Sequence, residues 1–185
     1  DKNTCDSRKV SNMKTAQGCE FKCSSVNELI DSSKETSSVK VGCVGATKTF
    51  ICGETISESC ILNGDLNAQK ACFTIVSDGV TIDCAGHKIS GKNYIGSSGI
   101  GLNGVNNFSL KNCNLNNFYF GIYLMNSSNI NIEKSSFCNS DSEDIHVDSS
   151  TYFGVDNFCD KNFGWNDEGF NGCSNSCSGF DSENN

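Results

Sequence analysis

The feature that most constrains this chain is an internal repeat that needs no gaps. The segment GIGLNGVNNFSLKNCNLNNF, beginning at Gly99, is answered 22 residues on by GIYLMNSSNINIEKSSF, beginning at Gly121. Gly99 falls on Gly121, Ile100 on Ile122, Leu102 on Leu124, Phe108 on Ile130, Leu110 on Ile132 and Leu115 on Phe137. A shift of 23 carries Ile122 and Leu124 to Ile145 and Val147, and Ile130 and Ile132 to Phe153 and Val155. Upstream, Phe73, Ile75, Val80 and Ile82 form the same pair of pairs, with Ile89 as a third apolar corner. The stretch GKNYIGSS, residues 91–98, reads as an insertion between that turn and the next.

Apolar-x-apolar is a period of two, the mark of a short strand with two residues inward and one outward. Three such strands in ~22 residues make one rung of a parallel coil rather than a hairpin. The predicted fold is therefore all-β: a right-handed parallel β-helix, or solenoid, with the hand taken from the crossover rule. Ile100, Ile122 and Ile145 are expected to stack in its core, as are Leu110, Ile132 and Val155. A sandwich or barrel is disfavoured, because those folds use hairpin turns and longer strands. Half of the 24 asparagines lie between residues 91 and 139, where their tolerance of left-handed backbone suits stacked corners. Gly99 and Gly121 are expected at a corner that needs positive φ or close approach. Asp83, Lys111, Glu133 and Asp156 are expected to form one outward column, a solvated ladder.

The flanks read differently. Residues 1–49 are a cysteine-bearing arm and cap, with a short helix over residues 24–31 and a first strand near residues 38–44, where Val39 and Val41 alternate. Residues 50–160 are the β-helix, with four clear rungs, and residues 161–185 are a cysteine-rich C-terminal cap or tail holding the only tryptophan, Trp165. A solenoid has two open ends that must be capped or stacked on something.

Thirteen cysteines are spread along the chain: Cys5, Cys19, Cys23, Cys43, Cys52, Cys60, Cys72, Cys84, Cys113, Cys138, Cys159, Cys173 and Cys177. The close pairs Cys19/Cys23 and Cys173/Cys177 have C-x3-C spacing with no histidine nearby, which favours disulfides over zinc and an oxidising compartment over the cytosol. Thirteen is odd, so at least one cysteine is free or bonded outside the chain. The net charge of −8 and the single arginine, Arg8, exclude the basic stripe that nucleic acid needs. No apolar run approaches the ~18 residues of a membrane span. The chain begins at Asp1 without methionine, which reads as the mature end of a processed precursor or as an arbitrary edge.

The segment FTIVSDGVTIDCAGHKISG, residues 73–91, resembles the opening coil of right-handed parallel β-helix repeat proteins, and DGVTIDCAGHKI carries most of that resemblance. The preceding FICGETISESCILNGDLNAQKAC, residues 50–72, is similar to the lead-in of archaeal members. The resemblance implies a secreted or surface protein. It also brings in the family's polysaccharide lyases, epimerases and carbohydrate-binding surface proteins, because one fold hosts many functions.

Chemistry is sparse. Lyases and epimerases need a base beside an acidic or metal-bound neutraliser; Lys88, Lys111 and Lys134 lie in the coils without an obvious acidic cluster. Asp83, Glu133 and Asp156 share a column at separations of one or two rungs, which is compatible with a glycosidase pair, although such a ladder is usually only a solvated surface. The DSED run is a weak Ca²⁺ candidate through Asp141, Glu143, Asp144 and Asp148, without the spacing of a known calcium loop. Tyr123 is expected to stack one rung from His146, and Tyr94, Tyr119, Phe120 and Tyr123 are candidates for a sugar-stacking platform. His87 is placed at a corner. Asn107 and Asn126 head N-x-S sequons and are glycosylation candidates. The leading expectation is a secreted structural protein without cofactors, self-assembling head to tail into a filament or displayed at a cell surface. The first alternative is a module that binds surface glycans. The second is a small polysaccharide lyase or hydrolase, for which four rungs of ~20 Å give little groove.

Overall fold

The computed structural model describes residues 39–180. The short helix expected over residues 24–31 and Cys5, Cys19 and Cys23 lie outside these residues. From Lys40 onward the described chain belongs to one compact unit. It opens with β1 (Cys43–Gly45) and β2 (Thr49–Phe50) and then winds through repeating triplets. The first turn is β3 (Glu54–Ile56), β4 (Cys60–Leu62) and β5 (Leu66–Asn67). The second is β6 (Phe73–Ile75), β7 (Thr81–Asp83) and β8 (Lys88–Ser90), and the third β9 (Ser98–Asn103), β10 (Ser109–Lys111) and β11 (Asn114–Asn116). The fourth is β12 (Phe120–Met125), β13 (Ile130–Glu133) and β14 (Ser136–Cys138). The fifth has β15 (Glu143–Asp148) and β16 (Tyr152–Val155), with Phe158 bridging to Ser136 where a third strand would lie. Then come β17 (Asn162–Phe163) and a single helical turn, α1 (Cys177–Phe180).

Equivalent strands of successive turns pair in parallel into three sheets, in the orders β17-β15-β12-β9-β6-β3, β16-β13-β10-β7-β4-β1-β2 and β14-β11-β8-β5. The chain is thus a parallel β-solenoid of about five turns, one more than the four rungs legible in the sequence. The extra turn is the segment 50–72: Ile56 pairs with Ile75, Cys60 with Ile82 and Leu66 with Ile89.

The inward columns form the core. Ile100, Ile122 and Ile145 stack as expected, as do Leu102, Leu124 and Val147. All six are buried, and each such aliphatic side chain contributes roughly 1.5–3 kcal/mol relative to exposure. The corners are made by left-handed residues. Ala85, Asn112, Lys134 and Asp156 occupy one such corner column with φ of 50°, 54°, 49° and 56°. Seven of the eleven described non-glycine residues at positive φ are asparagines, which explains the asparagine crowding, since most other side chains pay a steric penalty there. Corner side chains also bond the backbone one turn away. Ser135 Oγ accepts from Cys113 N at 3.2 Å, Asn157 Oδ1 from Ser135 N at 3.1 Å and Asp167 Oδ2 from Asn157 N at 2.9 Å.

Three expectations are corrected. Gly99 and Gly121 are not at positive φ; they lie in β9 and β12. A Cβ would come within 2.5 Å of Leu115 Cδ2 at the first and 2.4 Å of the Asp144 carbonyl oxygen at the second. Close approach, not conformation, is what requires them. The first strand is β1, not residues 38–44: Cys43 turns inward while Val39 and Val41 are 78% and 48% exposed. β1 runs antiparallel to both β2 and β4, which leaves β2 as the edge strand of that sheet.

The third correction concerns the last turn. Ile132 pairs with Gly154, not Val155, and Glu133 pairs with Val155, so Asp156 leaves the Asp83–Lys111–Glu133 column for the corner. Three residues (149–151) separate β15 from β16, where four (126–129) separate β12 from β13. The shorter corner restores a shift of 22 and turns Phe153 outward, 48% exposed. The inward place at Gly154 is filled by Trp165, which is 1% exposed and stacks on Tyr152 at 4.4 Å between centroids. Trp165 Nε1 donates to Asp167 Oδ1 at 3.1 Å. Asp167 also accepts from Asn157 Nδ2 and from Ser174 N and Oγ, at 2.8, 2.9 and 2.8 Å. Burial raises the Asp167 pKa, but these bonds outweigh it and hold the carboxyl below its ordinary value. Through these bonds the described residues after Trp165 pack on the last turn of the solenoid.

Candidate functional site

The ten described cysteines form five disulfides: Cys43–Cys60, Cys52–Cys72, Cys84–Cys113, Cys138–Cys177 and Cys159–Cys173. The first three tie the early turns, and the last two hold the cap.

The candidate site is on the outer face of the six-stranded sheet. Strand register places Gly101, Tyr123, His146 and Phe163 in one outward column. The Tyr123 and His146 rings stack at 4.7 Å and 11°, and His146 stacks on Phe163 at 5.0 Å and 16°. Parallel strands impose this: neighbours in one column stand ~4.8 Å apart, which is the thickness of a ring stack. Phe120, in the adjacent column between Ser98 and Glu143, braces the stack at 5.0 Å from Tyr123 and 5.3 Å from His146. Tyr119 meets Phe120 edge-on at 4.8 Å.

A cavity of about 340 Å³ opens here, lined by Gly96, Ser98, Phe120, Tyr123 and His146. That falls in the range of ligand pockets, roughly 300–1,000 Å³. Its polar groups are few. Ser98 and His146 line it, and His146 Nδ1, buried without a hydrogen-bond partner, lies 3.7 Å from Oε2 of Glu143, which stands outside the lining. Glu143 Oε2 also accepts from Ser142 Oγ at 2.7 Å. Of the four rings singled out in the sequence, Tyr119, Phe120 and Tyr123 come together. Tyr94 instead sits under Lys70 Nζ, 4.8 Å from the ring centroid, and makes no ring contact with the others. Phe163, which the sequence reading missed, completes the stack and is 56% exposed.

The carboxylates are occupied elsewhere. Asp83 pairs with Lys111 at 3.4 Å and accepts from Asn112 Nδ2 at 3.0 Å and Ala85 N at 2.9 Å. Burial raises its pKa, yet these bonds and the lysine leave it lowered. Lys111 stands between Asp83 and Glu133 in the column. In the DSED run, Asp144 is buried and accepts three backbone N–H groups, from Ser140 at 3.1 Å and from Asp160 and Lys161 at 3.0 Å each. Asp141 and Asp148 are exposed, and Glu143 turns to His146. Among the described residues no group of three or more His, Cys, Asp or Glu side chains is arranged to hold a metal ion. His87 sits at its corner 3.3 Å from Asp65.

Both sequon asparagines are exposed corner residues at positive φ. Asn107 Oδ1 accepts from Asn129, whereas the Asn126 amide nitrogen donates to Asn103 at 3.5 Å.

The fold and the bridges define the class: a disulfide-stabilised parallel β-solenoid of the kind that matures in an oxidising compartment. Among the described residues no helix is long and apolar enough to cross a membrane. Comparisons with protein-family models, with curated proteins and with solved structures return no match.

Proposed function

We propose that this chain is a secreted, non-catalytic carbohydrate-binding module of the right-handed parallel β-helix repeat class, and that the outer face of its six-stranded sheet is the binding surface. The observation that carries this reading is the stacked column Tyr123–His146–Phe163, braced by Phe120 beside an open cavity. Flat rings fixed by strand register, with a few polar groups at their edge, suit the apolar face of a pyranose. A catalytic reading has less support, because Asp83 is fixed as an anion and separated from Glu133 by Lys111. An array of immobilised glycans probed with native, unreduced protein tests the proposal. Binding to a defined subset, weakened at least tenfold by Tyr123→Ala, is expected; no binding to any glycan overturns it.

A second reading, self-assembly, is favoured by the cysteine count. With ten cysteines paired internally, Cys5, Cys19 and Cys23 cannot all pair with one another, so at least one is left for a partner outside these 185 residues, and a second copy is the partner proposed. Electron microscopy of unreduced and reduced material tests it: filaments that disperse on reduction support this reading, and monomers in both samples end it.

A further inference from the structure

We infer that the ligand is a single neutral pyranose unit that enters a slot created by Gly101 and continues the ring stack from the open face of Tyr123. The inference rests on the carbohydrate reading above and specifies where, and in what form, the sugar is held.

The column in question reads Thr55, Thr74, Gly101, Tyr123, His146, Phe163. The two neighbours on one side of Gly101 differ in kind from the three on the other: threonines precede it and rings follow. One face of Tyr123 is covered by His146 at 4.7 Å. Its other face looks toward the level of Gly101, where there is no side chain. Two rung spacings, ~9.6 Å, therefore separate Thr74 from Tyr123 along the column. A plate stacked on Tyr123 at ~4.8 Å would lie at the height of Gly101, directly over its backbone.

A Cβ built on Gly101 meets only Ser98 Oγ, at 3.0 Å, and the backbone there is not at positive φ. The glycine is thus required neither by conformation nor by core packing, unlike Gly99 and Gly121 with their contacts at 2.5 and 2.4 Å. An outward strand position tolerates β-branched side chains well, so a single substitution would fill the slot, with the Ser98 side chain giving way by a few tenths of an ångström.

The surroundings choose among flat ligands. Phe120 walls one side, and Ser98 Oγ, at the same level as Gly101, offers a hydroxyl partner at the rim of the slot. A pyranose presents an apolar C–H face to Tyr123 and ring-edge hydroxyls to Ser98. The net charge of −8 opposes an anionic sugar such as a uronate, through like-charge repulsion.

The test uses biolayer interferometry of the full chain, disulfides intact. The probes are immobilised mannan, β-glucan and N-acetylglucosamine oligomers, with polygalacturonate in parallel. Wild type, Gly101→Val, Tyr123→Ala and Phe153→Ala are compared, the last removing an exposed ring from a different sheet. Circular dichroism and thermal melting establish that each variant is folded. The expected result is binding to a neutral probe, weakened at least tenfold by both Gly101→Val and Tyr123→Ala and unchanged by Phe153→Ala. Loss with Tyr123→Ala alone would overturn the slot while leaving the carbohydrate reading standing. Preference for polygalacturonate would overturn the neutral-sugar assignment. No binding to any probe by folded wild type would remove the carbohydrate reading and the slot together.

Discussion

Placing a methyl group on Gly154 tests how the solenoid is closed at its last turn. Its Cβ would lie 2.2 Å from Trp165 Cζ2 and 2.5 Å from Asp167 Oδ1. Neither group can move cheaply. The indole is stacked on Tyr152 and bonded through Nε1, and the Asp167 carboxylate accepts hydrogen bonds from Asn157, Trp165 and Ser174. Overpacking of this kind costs about 1–3 kcal/mol. Taking about 2 kcal/mol, the melting temperature of a chain this size falls by about 4–8 °C. Trp165→Ala alone empties a fully buried site and costs about 3–5 kcal/mol. In the double variant the methyl has lost its main obstacle, so the two effects do not add, and the coupling should reach about 1–2 kcal/mol. Urea and thermal unfolding followed by far-UV circular dichroism give all four corners of the cycle without relying on the tryptophan as probe. If Gly154→Ala costs as much without Trp165 as with it, the indole does not occupy the inward column and the account of the cap is wrong.

Two further predictions concern single residues. Because the folded pKa of Asp167 lies below its ordinary value, its contribution is fully present above the unfolded pKa of about 3.9 and is lost as pH falls through the folded pKa. Melting temperatures measured from neutral to acid pH should therefore show Asp167→Asn well below wild type at neutrality, with the difference shrinking below about pH 4; a constant difference would refute this. Asn112 sits at a left-handed corner with φ 54°, so Asn112→Val should lower stability by about 1–2 kcal/mol while Asn112→Gly stays much closer to wild type. Equal losses for the two in urea titrations would show that the corner does not select for left-handed backbone.

The middle of the solenoid was legible because it is a one-dimensional repeat. Once Ile100, Ile122 and Ile145 were aligned, the pairing of three strands followed, and with it the stack of Tyr123 on His146. Legibility failed where corners changed length. The shift of 23 that carries Ile122 to Ile145 does not hold for the next strand, because the three-residue corner before Tyr152 restores a shift of 22. Phe163 escaped notice for the same reason, since it follows His146 by only 17 positions. Asp144 read as part of an acidic run, yet register puts it in the column of Gly99 and Gly121, where its buried carboxylate gathers three backbone amides. Its place in a glycine column was the available signal. Tyr94 erred in the other direction: an aromatic near the others in sequence, it lies in the 91–98 insertion, outside any column.

The central claim, that the ring-bearing face of the six-stranded sheet recognises carbohydrate, is tested most directly by backbone NMR of isotope-labelled, fully oxidised protein titrated with a neutral oligosaccharide selected on the glycan array. The account predicts saturable shifts concentrated at Ser98, Gly101, Phe120, Tyr123, His146 and Phe163, with the seven-stranded sheet unaffected. Shifts confined to another face, or none at ligand concentrations that saturate the array signal, would contradict it.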